Sequence, residues 1–518
     1  MRRDRSSRAV RVAAAAVATA PLVLLSGAAI AQEAPTWSQF QGGPGHSGVL
    51  ADGPEPPFRV RWTLPAPAGD ALSGAVVAGD LAVSVGDEAV YGIDVASGAI
   101  EWRVARDGGP LSIPAIGAGP RGRVLVYLDG PGPADPAETP EGSPSPSPSR
   151  SATQSASATP SASATPSISP STTGPSRSPT GPGEQADVST LVAISLADRT
   201  ELWRTPLGAT SRSGVTIDGT NAFVGDQAGT VYAVSLESGT IIWSAQMAGR
   251  VDSAVAVADA RVVAVARNTD TAQVVLAAFE EATGERSWPA LAIQANSTAG
   301  TAPSLAGGSV FVGSADRRVR ALDTENGNER WATLALSLFS PATSLAFDDD
   351  SVFAADIAGG LYRLDAADGG RRWSYQLNEV VLRSSPVVSG SSVLLGLGDG
   401  RLVAVDVASG HLVWQSAPSA GLVGTIALSS EAVIAVKGGR NAGLIAFEHD
   451  PEGALVDVPS PTQLEAGTTL TRWALAAVIV VAVAFVPGIW ASRRYSGVAD
   501  HGADDDGADG VSDPGEGP

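Results

Sequence analysis

The sequence predicts an all-β repeat protein, an eight-bladed β-propeller of four-stranded antiparallel blades, and three observations carry that prediction. Eight tryptophans, Trp62, Trp102, Trp203, Trp243, Trp288, Trp331, Trp373 and Trp414, recur about every 40 to 45 residues once one insertion is set aside, and a fixed period of that length marks a repeat fold. Seven of the eight close the same short phrase, as in YGIDVASGAIEW (Tyr91 to Trp102), RALDTENGNERW (Arg320 to Trp331), YRLDAADGGRRW (Tyr362 to Trp373) and VAVDVASGHLVW (Val403 to Trp414). Upstream of each phrase come two more short alternating runs, as in SGAVVAGDLAVSVGDEAVYGID (Ser73 to Asp94). Each unit therefore holds four strands, and four-stranded units at this period stack face to face as propeller blades around a central channel.

Within the phrase, alternating apolar residues run into Asp94, Asp323, Asp365 or Asp406, whose short carboxylate accepts backbone N–H bonds at a turn. Gly98, Gly239, Gly284, Gly327, Gly369 and Gly410 stand four residues on, where the reversal requires a positive φ. The tryptophan then falls on the returning strand, with about 150 to 250 Å² of surface to bury. These tryptophans, acids and glycines read as structural blade residues. Individual repeats drift: Ser195 and Arg199 replace the acid and the glycine in the second, Ser235 replaces the acid in the third and Glu280 in the fourth.

The chain ends complement each other. The last repeat, Leu422 to Asp450, has three candidate strands and no tryptophan, whereas Trp62 stands in a lone strand. FRVRWTLP (Phe58 to Pro65) is expected to complete the last blade and close the ring, leaving no free sheet edge at the join. The phrase resembles the repeat of the pyrroloquinoline-quinone-like β-propellers, over roughly Trp37 to Glu448 outside the insertion. WSQFQGGPGHSGV (Trp37 to Val49) resembles the Trp-x-x-Phe…Gly opening of propellers similar to the outer-membrane assembly scaffold of Gram-negative bacteria.

The flanks set the expected topology and give these domains: signal peptide 1–31, propeller 32–453, juxtamembrane linker 454–472, transmembrane helix 473–492 and cytoplasmic tail 493–518. Arg2, Arg3, Arg5, Arg8 and Arg11 precede an apolar stretch ending in Ala29-Ile30-Ala31, which reads as a secretory signal cut between Ala31 and Gln32. Trp473 to Ser492 is long enough as a helix to cross a bilayer, with Trp473 and Trp490 at its ends and Arg493 and Arg494 as cytoplasmic anchors. The expected location is the cell membrane, single-pass, with the propeller outside and an acidic, disordered tail inside. Between Gly130 and Asp187 the composition changes to Ser, Pro, Thr and Ala, which cannot bury enough apolar surface to offset ordering entropy. The insertion 131–187 is expected to be a disordered loop of the second blade, open to O-glycosylation.

The sequence carries few residues arranged for chemistry. The chain has no cysteine, which excludes disulfides, thiolate chemistry and a lipobox anchor. His46, His411, His449 and His501 show no metal-ligand spacing, and Asp348-Asp349-Asp350 lacks the alternating ligands and glycine of a calcium loop. A net charge of −20 with Lys437 as the single lysine excludes nucleic acid as a partner, and the Arg317, Arg318, Arg320 and Arg371, Arg372 groups read as solvated loop charges. No catalytic, cofactor or metal residue is assigned. The expected function is a non-enzymatic, monomeric scaffold or sensor in the cell envelope that binds a protein or a cell-surface polymer. What the resemblance implies as an alternative is a quinoprotein dehydrogenase, with pyrroloquinoline quinone and Ca²⁺ in the channel. A further alternative is a glycan-binding propeller, for which Trp37, Phe40 and Phe339 are the candidate surface aromatics.

Overall fold

The computed structural model describes residues 37–455 apart from 68–69, 131–187, 295–299, 341–342, 420 and 440–441. The signal segment with Ala31 and Gln32, the insertion, nearly all of the linker, the span 473–492 and the tail lie outside the described residues. Among the described residues no helix is long and apolar enough to cross a membrane.

Eight antiparallel blades of four strands each form the ring. The first blade consists of Val76–Ala78, Leu81–Val85, Ala89–Asp94 and Ile100–Ala105, in that order from the channel outward. The inner strands of neighbouring blades touch one another from the first blade to the seventh, and the inner strand of the last, Val423–Leu428, touches that of the first and the second strand of the seventh, Ser392–Gly396. The outer strand of the last blade is Phe58–Pro65, which pairs antiparallel with Gly443–His449, Phe58 opposite His449 and Pro65 opposite Gly443. One covalent chain end thus closes the circle by the same ladder that holds every other blade. A further short strand, Val49–Leu50, lies parallel to the inner strand of the seventh blade, Val387–Ser389.

The core is a circle of inter-blade cores. Alternate residues of the middle strands face opposite neighbours, because successive strand side chains point to opposite sides of a sheet. Val83 and Val85 of the first blade meet Leu125 and Tyr127 of the second in one cluster. Val126 and Leu128 of the second blade join Val224 and Val234 of the third in the next. The pattern repeats around the ring, with the seventh, eighth and first blades sharing one larger cluster.

The two ends of the ring differ in origin. The turn between the first and second strands and the phrase turn lie together at one end, where Val95 N donates to Asp80 O at 2.9 Å and Leu236 N to Thr220 O at 2.8 Å. The turn between the second and third strands lies at the other end, with the loops that lead from blade to blade. The insertion starts from this second end: Asp129 pairs with Thr190 and Leu128 with Leu191, so residues 131–187 replace a hairpin turn of the second blade. The chain leaves the ring after Asp450 at the opposite end, the one bearing the phrase turns.

Candidate functional site

Each phrase turn is built by its own residues and used by the neighbouring blade. Asp94 Oδ1 accepts Ser97 N at 2.8 Å, and Asp406 Oδ1 accepts Ser409 N at 2.7 Å. The six phrase glycines have φ between 70° and 73°. Each lies against the tryptophan of the preceding blade: a Cβ on Gly98 would stand 2.6 Å from Trp62 Cδ2, and one on Gly284 2.5 Å from Trp243 Cδ2. The indole Nε1 then donates to the carbonyl just after the acid, from Trp62 to Val95 at 2.8 Å, Trp203 to Leu236 at 2.9 Å and Trp243 to Glu281 at 2.8 Å. The same bond runs from Trp288 to Thr324, Trp331 to Ala366 and Trp373 to Val407. Outer strands reach this geometry through a β-bulge at the residue just before the tryptophan, as at Ile242 and Arg372, which turns the indole toward its neighbour.

Two seams depart from the pattern where the phrase itself departs. Trp102 faces the second blade, in which Arg199 replaces the glycine at φ 64° and lays its guanidinium 6.0 Å over the ring. Trp414 faces the eighth blade, where the turn is replaced by two chain ends, and it packs edge-on against Phe58 at 5.1 Å and Phe447 at 5.9 Å. In the fourth blade the tryptophan is not on the returning strand. Pro289 has no N–H to offer the ladder, so the strand begins only at Leu291, and Trp288 reaches its carbonyl from the preceding loop.

The central channel is filled by the chain's own residues 37–50. From the first blade onward the segment visits the inner strands in turn. Val77 N donates to Trp37 O at 2.8 Å, Ile116 N to Ser38 O at 2.7 Å and Ile217 N to Gln39 Oε1 at 2.7 Å. On the far side Val257 N donates to Pro44 O, Leu305 N to Gly45 O, Phe347 N to Ser47 O and Val388 N to Gly48 O, each at 2.7 to 2.8 Å. Seven of the eight inner strands thus give an N–H to this segment. Phe40 packs with Ala254 and Ala302 in a small cluster on the axis. His46 is 0 % exposed, donates from Nδ1 to Pro303 O at 2.9 Å and lies edge-on to Phe40 at 5.1 Å. Burial without a charged partner holds its imidazole down to about 4, against an ordinary 6.5.

The expected surface aromatics are therefore corrected: Trp37, Phe40 and Phe339 are 2 %, 6 % and 1 % exposed. Trp37 and Phe40 are buried by the channel, and Phe339 lies where a Cβ on Gly313 would meet its ring at 2.6 Å. The acidic run is spread over a turn, with Asp349 at φ 48° and Asp350 held by Arg372 at 2.7 Å. That guanidinium, followed by Ser351, lowers the Asp350 carboxyl to about 2. The arginine groups are not free solvated charges, since Arg320 pairs with Asp316 at 2.6 Å and Glu329 at 2.8 Å, and Arg372 also pairs with Asp365.

Sequence reasoning missed two kinds of polar anchor at the insertion end of the ring. In Asp226-x-x-Gly229-x-x-Tyr232 and Asp356-x-x-Gly359-x-x-Tyr362 the tyrosine hydroxyl donates to the aspartate at 2.8 Å. The same hydroxyls accept Gly208 N and Leu336 N, tying the turn to the incoming loop. Burial raises the Asp356 carboxyl and, with Asp356 beside it, the Tyr362 hydroxyl. The shared spacing, a glycine three and a tyrosine six residues after the aspartate, is the signal. The second anchor is Asp129 at the root of the insertion, fully buried between Arg106 at 3.5 Å and Arg204 at 3.0 Å, with Asp107 N donating to it at 2.9 Å.

These features define a closed β-propeller whose blades are locked by tryptophan and whose channel is filled from within. The chain belongs to the PQQ_2 family, described as outer membrane protein assembly factor BamB, which matches residues 187–336 and 271–447. It is similar to outer membrane protein assembly factor BamB of Yersinia pestis, 26% identical over 236 residues, which are 42% of this chain and 57% of the relative. To the protein of that name from Bordetella pertussis it is 29% identical over 231 residues, 41% of this chain and 57% of the relative. The chain spans a little over half the length of the curated relatives it matches. Among solved structures, BamB from Moraxella catarrhalis covers 76% of this chain and 100% of its own at 14% identity and TM-score 0.50. A europium-containing methanol dehydrogenase covers 80% of this chain and 91% of its own at 12% identity and TM-score 0.56. At such identities these likenesses show the fold.

Proposed function

We propose that this chain is a non-enzymatic, monomeric binding scaffold on the outer face of the cytoplasmic membrane, which contacts an envelope protein through its loop surfaces and rim. The observation that carries the reading is the filled channel. In the quinoprotein alternative the quinone and Ca²⁺ occupy the channel, and here that space holds Phe40 and His46. The reading accordingly includes no cofactor. Proteins named assembly factors among the relatives support a protein partner. The glycan reading loses its support with the burial of Trp37, Phe40 and Phe339.

The same reading orients the ring. The last described residues, after Asp450, lie at the end bearing the phrase turns, and in this reading an anchor at 473–492 tethers that end and leaves the insertion end facing away from the membrane. The partner is placed at that distal end.

Cross-linking in intact cells, followed by purification through a tag on the C-terminal tail and mass spectrometry, tests the proposal. Recovery of one envelope protein in near-stoichiometric amount, dependent on an intact ring, is the expected result. An absorbance titration with quinone and Ca²⁺ that saturates at one per chain would overturn the cofactor-free reading.

A further inference from the structure

We propose that the central channel is a peptide-binding site, filled in cis by residues 37–50, that accepts an extended, uncharged, glycine-containing peptide of the same pattern in trans. The ring is complete without the segment. All eight blades have their four strands, and the closing ladder between Phe58–Pro65 and Gly443–His449 lies elsewhere. Of the segment Trp37 and Leu50 enter an inter-blade core and Val49 packs against another, while Phe40 forms a separate small cluster and Gln39 through Ser47 contribute to none of the large ones.

The mode of attachment is that of a bound peptide. The inner strands present unpaired edge N–H groups toward the axis, and the segment satisfies seven of them mostly with main-chain oxygens, as an added strand does. Specificity comes from a few positions. Gly45 lies where a Cβ would stand 2.8 Å from Leu305 O, and Gly48 has φ 67° with Ala346 Cβ 3.1 Å from a built Cβ. Gln41 and His46 take left-handed φ of 54° and 57°, a conformation that non-glycine residues keep only where surroundings impose it. The segment WSQFQGGPGHSGVL has no charged residue in a chain of net charge −20, which matches a site lined by backbone N–H groups, Ala254, Ala302, Ile113 and the Thr216 hydroxyl.

His46 gives the site a recognisable signature. The groups facing it are the Pro303 carbonyl, the Thr216 hydroxyl and the Phe40 ring, and no charged side chain contributes to its environment. A free peptide titrates near the ordinary histidine value, whereas the bound one is held down to about 4. Affinity therefore falls by about tenfold per pH unit below 6.5 until the bound form itself titrates.

The test uses the full chain with a specific protease site placed at the exposed Ala51-Asp52 turn, cleaved in the folded protein. A fluorescent peptide of residues 37–50 is then added and its anisotropy followed while circular dichroism monitors the ring. The proposal expects saturable uptake of one peptide per ring, displacement by the unlabelled peptide and not by a scrambled one, and at least tenfold weaker competition by the His46→Ala peptide. It also expects the stated weakening below pH 6.5. A ring that stays folded and takes up no peptide, one that unfolds when its own segment leaves, or equal competition by the scrambled peptide would each overturn it.

Discussion

Two kinds of seam hold this ring, and their contrast shows what the tryptophan repeat contributes. At six seams an indole lies against the glycine of the next blade and donates to its turn carbonyl, as Trp243 does to Glu281. At the seams of Trp102 and Trp414 the partner turn is altered or missing, and a guanidinium or a phenylalanine covers the indole instead. The glycine is needed twice over, for its positive φ and because any Cβ would collide with the ring. Where Arg199 takes the glycine's place, the side chain moves over the indole and the hydrogen bond gives way to a cation–π contact. The seam of Trp414 compensates differently, through the ladder that binds both chain ends in one blade.

Removing Phe58 to Pro65 breaks the contrast most severely, since the eighth blade loses its outer strand and the Gly98 turn of the first blade loses the Trp62 indole that docks on it. The expected outcome is loss of a single cooperative melting transition, read by circular dichroism. Trp243→Ala deletes a buried, hydrogen-bonded indole and is expected to cost about 3 to 5 kcal/mol in denaturant unfolding. Trp102→Ala, at a half-buried ring without that bond, is expected to cost clearly less. Equal losses would mean that the docked geometry adds nothing to burial.

Acid separates the seams from the channel. An indole and a carbonyl do not titrate in the working range, so the docked seams are indifferent to mild acid. His46 behaves otherwise: its folded value, about 4, lies below the unfolded 6.5, so the unfolded chain takes up the proton first. The stability it supports is fully present above pH 6.5 and is lost as pH falls toward 4, by about 3 kcal/mol in all. His46→Ala is expected to flatten that part of the stability profile. The smallest effect belongs to the insertion. Joining Gly130 to Val188 through a short turn of about four residues, in place of residues 131–187, is expected to raise stability by about 2 kcal/mol in denaturant unfolding, because loop closure costs about 0.6 kcal/mol per doubling of length and the flanking strands already pair at Asp129 and Thr190.

Much of the ring was legible because its signals are local. Period, strand alternation and turn chemistry are written within about a dozen neighbouring residues, and they give blade count and blade composition. The lone strand around Trp62 was readable as the complement of a three-stranded last repeat. Pro289 was equally visible, and its effect on the strand after Trp288 follows from its missing N–H. The Asp–Tyr pairs had a spacing signature that could have been found. The burial of Trp37, Phe40 and Phe339 could not, since exposure depends on what the ring brings around them.

The sequence by itself determined the repeating unit, its number and the turns that shape it, since these depend on residues close together in the chain. Tertiary structure decided that each tryptophan serves the following blade and that residues 37–50 fill the channel. The reason is physical. The contacts that seat that segment come from backbone N–H groups on seven inner strands up to hundreds of residues away, and an N–H that every residue but proline carries leaves no mark in the sequence.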